Sequence, residues 1–189
     1  MLKTLFLSLA LLLPPLSSAA ENTAPNPQVV IKTSDGDITV RLFRDKAPLT
    51  VENFLTYVDS GFYSGTIFHR VIPNFMIQGG GLQPDMTEKE HGDPVVNESK
   101  NRLHNTRGTV AMARTNDPDS ATAQFFINQR TNLRLDWTPA SPGYTVFGEV
   151  ILGMDVVDFI ASAPTGRSGR FSDVPVEPII IKEIVRKGL

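Results

Sequence analysis

Residues 68–80 read Phe-His-Arg-Val-Ile-Pro-Asn-Phe-Met-Ile-Gln-Gly-Gly. One arginine, Arg70, stands among apolar side chains, and Gln78 follows it beyond a Pro73-Asn74 turn. Residues 124–128, Gln-Phe-Phe-Ile-Asn, have the same make-up: aromatic side chains beside lone polar ones. Arginine keeps its charge and presents several donors in a rigid fork, and a glutamine amide both donates and accepts. A cation and an amide at the rim of an apolar pocket suit a neutral, partly apolar ligand. They suit a phosphate or a metal less well.

Taken one at a time, these residues have ordinary explanations. A lone strand arginine is most often a surface ion-pair partner. Phe75 and Phe126 by themselves read as core, and His69 reads as a structural histidine rather than a base. His69, His91 and His104 show no close metal spacing, so neither a metal nor a cofactor is expected. There is no cysteine to supply a thiolate, and no Gly-x-Ser-x-Gly, phosphate-loop or dinucleotide motif. Asn97-Glu98-Ser99 fits a glycosylation sequon, a pattern too common to carry weight, and Asp117-Pro118-Asp119 reads as a turn.

The elements that must hold these residues are mostly strands. Residues 29–33 and 38–42 flank an Asp-Gly turn, with Ile38, Val40 and Leu42 alternating against Thr39 and Arg41, a hairpin signal. Pro48 opens a helix carrying Val51, Phe54, Leu55 and Val58 at helical spacing, with Gly61 beyond its end. Residues 66–72, 75–78, 109–113, 123–128 and 144–150 read as further strands. Residues 82–107 and 129–143 read as long loops, and 154–160 as a short helix. Ile179, Ile181 and Ile184 fall in a final strand, with or without a bulge. Many short strands with two separated helices suggest an antiparallel sheet closed on itself.

The 189 residues suggest one domain, and the formal charge of −2 with no basic tract argues against nucleic acid as a partner. The N-terminus reads as an export signal. Lys3 is a basic n-region, residues 5–13 are apolar save Ser8, and Ser18-Ala19-Ala20 offers small residues before a cut at Glu21. The apolar run is far short of the ~20 residues a membrane-spanning helix needs. The expected organisation is a signal peptide over 1–20, a flexible tail over 21–27 and one domain over 28–189. With no cysteine to accept a lipid, soluble export is the simplest outcome.

The polar and aromatic stretches also carry a family resemblance. Residues 68–80 resemble the main signature of the cyclophilins, the peptidyl-prolyl cis-trans isomerases. Gln124-Phe125-Phe126-Ile127 and Val146-Phe147-Gly148-Glu149-Val150 resemble two later signatures, in the right order. The resemblance runs from about residue 29 to 185, and the leader points to the periplasmic bacterial branch. It implies an all-β fold with two helices: a closed eight-stranded antiparallel barrel capped by a helix at each end. A barrel that small is filled by side chains, so the site lies on its outer face.

The resemblance further implies isomerisation of X–Pro bonds in exported proteins, with Arg70, Phe75 and Gln78 as catalytic residues. Phe75, Met76, Phe126 and Leu135 would line the proline slot. Gln78 would hydrogen-bond the substrate backbone and help hold Arg70. Ala113 and Arg114 would flank the groove for the residue before proline, and Gln124 and Tyr144 would complete the rim. The expected partners are proline-containing polypeptides, met by a monomer with no membrane contact once the leader is cut. The tryptophan and rim histidine of well-known eukaryotic members align with Arg134 and Tyr144, so weak cyclosporin binding is expected. The only tryptophan, Trp137, lies three residues on, and the register through 129–143 stays open. A chaperone or adaptor that holds Pro-containing segments without turnover is the other class to weigh. It would need the apolar slot but not Arg70.

Overall fold

Alternating residues build the first hairpin. In the computed structural model, which describes residues 26–188, Gln28–Thr33 (β1) and Asp37–Leu42 (β2) pair antiparallel with Val29 opposite Val40 and Ile31 opposite Ile38. The Thr33 hydroxyl closes the turn, donating to the Gly36 carbonyl at 2.7 Å and accepting from the Asp35 N–H at 3.0 Å. The leader expected over residues 1–20 lies outside the described residues. The tail expected over 21–27 is pinned at its described end: the Leu42 N–H donates to Pro27 and the Arg44 N–H to the Asn26 side chain.

Helix α1 (Pro48–Asp59) begins with Pro48 in its first turn, where a missing N–H costs nothing. Ala47 offers no side-chain cap, so the remote Glu98 carboxylate does the work, accepting from the N–H groups of Leu49 and Thr50 and from the Thr50 hydroxyl. An anion at that end also meets the positive pole of the helix.

The remaining elements are β3 (Thr66–Ile72), β4 (Met76–Gly79), β5 (Thr109–Met112), β6 (Phe125–Asn128), β7 (Val146–Leu152), α2 (Met154–Ala161), β8 (Thr165–Ser168), β9 (Phe171–Pro175) and β10 (Ile180–Arg186). Eight strands close into an antiparallel barrel in the order β1-β10-β3-β4-β6-β5-β7-β2, and β8 and β9 form a separate hairpin. Alternation along each strand separates two apolar sets. Ile77, Val110, Phe125, Ile127 and Phe147 belong to the main core, together with Phe54 of α1 and Val157 and Ile160 of α2. Their neighbours Met76, Ala111, Phe126 and Val146 form a second, smaller cluster. Inside and outside of one wall are thus both apolar, and the outer patch needs a purpose.

The differences from the sequence expectation are local. Strands β4, β6 and β7 begin one or two residues later than expected, because Phe75, Gln124 and Tyr144 belong to the connecting loops. The final strand does carry a bulge: Thr33 pairs with Ile181 and Lys32 with Glu183, leaving Lys182 unopposed. The long loops hold short 3-10 turns at Ser99–Asn101 and Leu133–Leu135. The β8–β9 hairpin was not anticipated, since β8 buries none of its residues and shows no alternation.

Candidate active site

The outer cluster is crossed by one row of residues. Arg70 on β3 lies opposite Gln78 on β4, Gln78 opposite Phe126 on β6, Phe126 opposite Ala111 on β5, and Ala111 opposite Val146 on β7. Cation, amide and apolar floor therefore share a single transverse line over five strands. Arg70 reaches that face because of a bulge. Phe68 pairs with Gly79 and Arg70 with Gln78, so His69 is the extra residue. In a regular strand Arg70, two residues beyond Phe68, would share its inward face.

Around this row stands a slot of about 110 Å³ lined by Arg70, Phe75, Met76, Gln78, Ala113, Arg114, Phe126, Leu135 and Tyr144. An engineered apolar cavity of about 150 Å³ accepts benzene, so this one admits a ring the size of a proline side chain. Nine of the ten residues picked out in the sequence meet here. The tenth, Gln124, lies beside the slot in a neighbouring hollow and accepts a 3.1 Å hydrogen bond from Gln78 Nε2. That bond corrects one expectation: Gln78 is tied to Gln124 rather than to Arg70. Arg70 instead has its Nε 3.9 Å from the Asp173 carboxylate on the β8–β9 hairpin. Among the described residues neither terminal nitrogen of the Arg70 guanidinium makes a hydrogen bond, which leaves both free to donate.

Phe75 sits in the three-residue link between β3 and β4, after Asn74 at φ 59°. Its carbonyl accepts from the N–H groups of Gln129 and Arg130 and from Asn132 Nδ2 at 2.9 Å. Asn132 also donates to the Asn128 side chain at 2.8 Å, and Asn128 in turn donates to Asn105 and Thr109. The Asp136 carboxylate accepts from both the backbone and the side chain of Asn105, which with His104 Nδ1 holds it below the usual carboxylate range despite its partial burial. This buried amide network sets the turn that carries Leu135. The sequence reading passed over it; the only signal was Asn128 and Asn132, one helical turn apart at the edge of an apolar run.

Arg114 is held in place on three sides. Its Nε and Nη2 donate to the Gly143 carbonyl at 3.0 and 2.9 Å, its Nη1 to Thr115, and its guanidinium lies 4.4 Å from the Tyr144 ring centre. Gly143 has φ 62° and presses against the backbone of residues 136 and 137, where a Cβ would come within 2.4 Å of the Trp137 nitrogen. Arg134 stacks over Phe75 at 4.8 Å, whereas Trp137 lines a separate groove with Lys100 on its ring. Arg134, not Trp137, is the residue beside the slot.

His69 is buried against Phe171 and its Nδ1 has no hydrogen-bond partner. Burial first, and the Arg70 charge second, lower its pKa to about 4. It is neutral near pH 7 and serves the bulge rather than proton transfer. The lining side chains include no serine, threonine, cysteine, acid or histidine. The site is built to bind and polarise, not to form a covalent bond.

A closed antiparallel barrel thus carries on its outer wall a cation-rimmed, largely apolar slot whose lining offers no serine, thiol, carboxylate or histidine. The family model for cyclophilin-type peptidyl-prolyl cis-trans isomerases matches residues 28–186. Curated relatives agree. The chain is 55% identical over 159 residues to peptidyl-prolyl cis-trans isomerase B of Escherichia coli (strain K12), covering 82% of this chain and 97% of that one. It is 52% identical over 164 residues to a peptidyl-prolyl cis-trans isomerase of Acinetobacter baylyi, covering 87% of each. Among solved structures, a Cryptosporidium parvum cyclophilin type isomerase in the presence of the dipeptide Ala-Pro superposes with TM-score 0.73 at 33% identity, covering 86% of this chain and 99% of that one. The chain belongs to the cyclophilin-type peptidyl-prolyl cis-trans isomerases. It is an enzyme of that class.

Proposed function

We propose that the protein isomerises X–Pro bonds of exported polypeptides in the slot on the β4-β6-β5 wall, and so assists their folding. The observation that carries the assignment of the site is the pairing of Arg70 with Gln78 at the lip of an apolar slot walled by Phe75, Met76, Phe126 and Leu135. The Ala-Pro dipeptide used with the Cryptosporidium relative supports a proline ring as the occupant. The leader-like sequence before Glu21 supports export to the periplasm.

The chemistry follows from the barrier. An X–Pro amide rotates over about 18–20 kcal/mol, mostly lost resonance, and nothing covalent is made or broken. Twisting leaves a lone pair on the prolyl nitrogen and makes it a better acceptor. An Arg70 N–H donating there favours the twisted amide over both planar forms, which is what rate acceleration requires. Burial of the proline ring anchors the part that stays still. Gln78 and the groove by Ala113 and Arg114 hold the flanking backbone.

The test is Arg70→Ala. Activity should fall by a factor of about 10²–10³, or about 3–4 kcal/mol, with stability almost unchanged because the side chain is 42% exposed. A folded Arg70→Ala protein with full activity refutes the role. The second reading, a chaperone that grips proline segments through the slot alone, would be favoured if the unmodified protein bound such segments without turning them over. Export is tested by the mass of the secreted protein, expected to begin at Glu21; recovery with the leader intact, or only in the cytoplasm, refutes it.

A further inference from the structure

Three arginines ring the slot, and their charge is almost uncompensated. Away from it, Arg41, Arg44, Arg107 and Arg186 have carboxylate partners, Glu149, Glu52, Asp158 and Asp59, whereas among the described residues Arg102, Arg130, Arg167 and Arg170 have none within 4.0 Å. Around the slot three arginines gather, and none has a close carboxylate partner. Arg70 has only Asp173, at a separation of 3.9 Å that is too long for a hydrogen bond. Arg114 donates to the carbonyls of Gly143 and Thr115, which satisfy its N–H groups but leave its charge in place. Arg134 lies on the face of Phe75 and, among the described residues, has no carboxylate within 4.0 Å. The chain as a whole has formal charge −2, so the collar is a cluster of three cations on a slightly acidic protein.

We propose that the collar selects substrates: it favours polypeptide segments carrying an aspartate or glutamate next to the proline and disfavours those carrying lysine or arginine there. The inference rests on the site assigned above. The slot is sized for the proline ring, so the flanking side chains must pass over its rim, where the arginines stand. Exposed single ion pairs are weak. Here several cations act on one carboxylate, no existing strong ion pair has to be broken, and two of the guanidiniums are already ordered by stacking on Tyr144 and Phe75. The opposing carboxylates are Asp173, beside Arg70, and Glu88, which lines the neighbouring hollow with His91. The preference therefore belongs to positions over the slot rim and not to residues reaching into that hollow.

The experiment is exchange NMR on proline peptides bearing glutamate, alanine or lysine immediately before or after the proline. No helper protease is used, since a protease brings its own charge preference. At about 0.01 M salt, where screening extends over about 30 Å, kcat/KM for the glutamate peptide should exceed that for the lysine peptide by about five- to twentyfold at one flank or both. At about 1 M salt, with screening over about 3 Å, the ratio should fall close to one. Arg134→Gln should reduce the low-salt ratio and Arg134→Glu should reduce it further, by at least about threefold overall. A low-salt ratio near one, or a ratio unmoved by salt and by both substitutions, overturns the proposal. The alanine peptide separates the two levels of inference. Loss of its turnover in Arg70→Ala with a glutamate-to-lysine ratio near one in the unmodified protein overturns the collar alone; full turnover in Arg70→Ala overturns the site and the collar with it.

Discussion

Replacing Asn132 by aspartate changes the side chain's shape hardly at all, yet it should damage this protein more than alanine does. The Asn132 amide donates to two acceptors, the Phe75 carbonyl at 2.9 Å and Asn128 Oδ1 at 2.8 Å. Both asparagines are buried. Asn132→Ala forfeits two hydrogen bonds worth about 1 kcal/mol each and strands Asn128 Oδ1, for a total of about 2–4 kcal/mol. Asn132→Asp loses the same bonds and faces both acceptors with a buried negative charge, adding about 2 kcal/mol near pH 7. For a chain of this length, 1 kcal/mol moves the Tm by about 2–4 °C, so the aspartate variant should melt about 4–8 °C below the alanine variant. The sign with pH is distinctive. The new carboxyl, disfavoured when charged, has a folded pKa above its unfolded value, so the folded state takes up the extra proton as pH falls and the penalty is relieved. Protonated, it can donate one hydrogen bond again, and by about pH 4–5 the aspartate variant should draw level with alanine. Thermal melts of the three proteins from pH 4 to 8, each variant referred to the parent at the same pH, decide the matter. Equal melting of the two variants at pH 7 with no recovery in acid would refute the network as described.

His69 gives a separate pH signature: with a folded pKa of about 4 against 6.5 unfolded, only the unfolded chain binds the proton in between, so stability should fall with pH through that window, by up to about 3 kcal/mol. His69→Phe should flatten that part of the profile in calorimetric melts, and an unchanged slope would show that His69 is not its source. Cyclosporin should inhibit weakly, because Arg134, stacked on Phe75, presents a hydrated cation where an aromatic ring would pack and must be desolvated when the drug binds. Arg134→Trp should tighten inhibition in the same isomerase assay; nanomolar block of the unmodified protein, or no gain in the variant, would sink the packing argument.

Most of the barrel was legible because its strands alternate and its turns carry glycine, proline or aspartate at the needed places. The β1–β2 hairpin and α1 follow directly from Asp35-Gly36 and Pro48. Strand boundaries slipped at Phe75 and Tyr144 because those residues are aromatic for the sake of the slot and look like strand continuations, and at Ala123-Gln124 because their apolar–polar alternation runs straight into Phe125. The β8–β9 hairpin was invisible for the opposite reason. It buries little, and its contribution is made by single residues, Phe171 over His69 and Asp173 beside Arg70. The meeting of the slot residues could be expected only through the family resemblance, since nothing in spacing alone brings residues 70, 78, 126 and 135 together. The Gln78–Gln124 bond and the asparagine network were illegible because amide partners are chosen by register and loop path, not by pattern.

The transverse row also fixes when the enzyme can begin to work. Its members come from positions 70, 78, 126, 111 and 146, and each neighbour relation in it is a strand pairing. Arg70 and Gln78 can meet early, within one local hairpin. Phe126, Ala111 and Val146 join only through pairings between distant parts of the chain, which form late because the loops between them must be closed first. A nascent or partly assembled chain thus has a cation and an amide but no floor beneath them, and no fraction of the activity. Catalysis should therefore switch on as a step, at closure of the wall, rather than grow in proportion to the strands already formed.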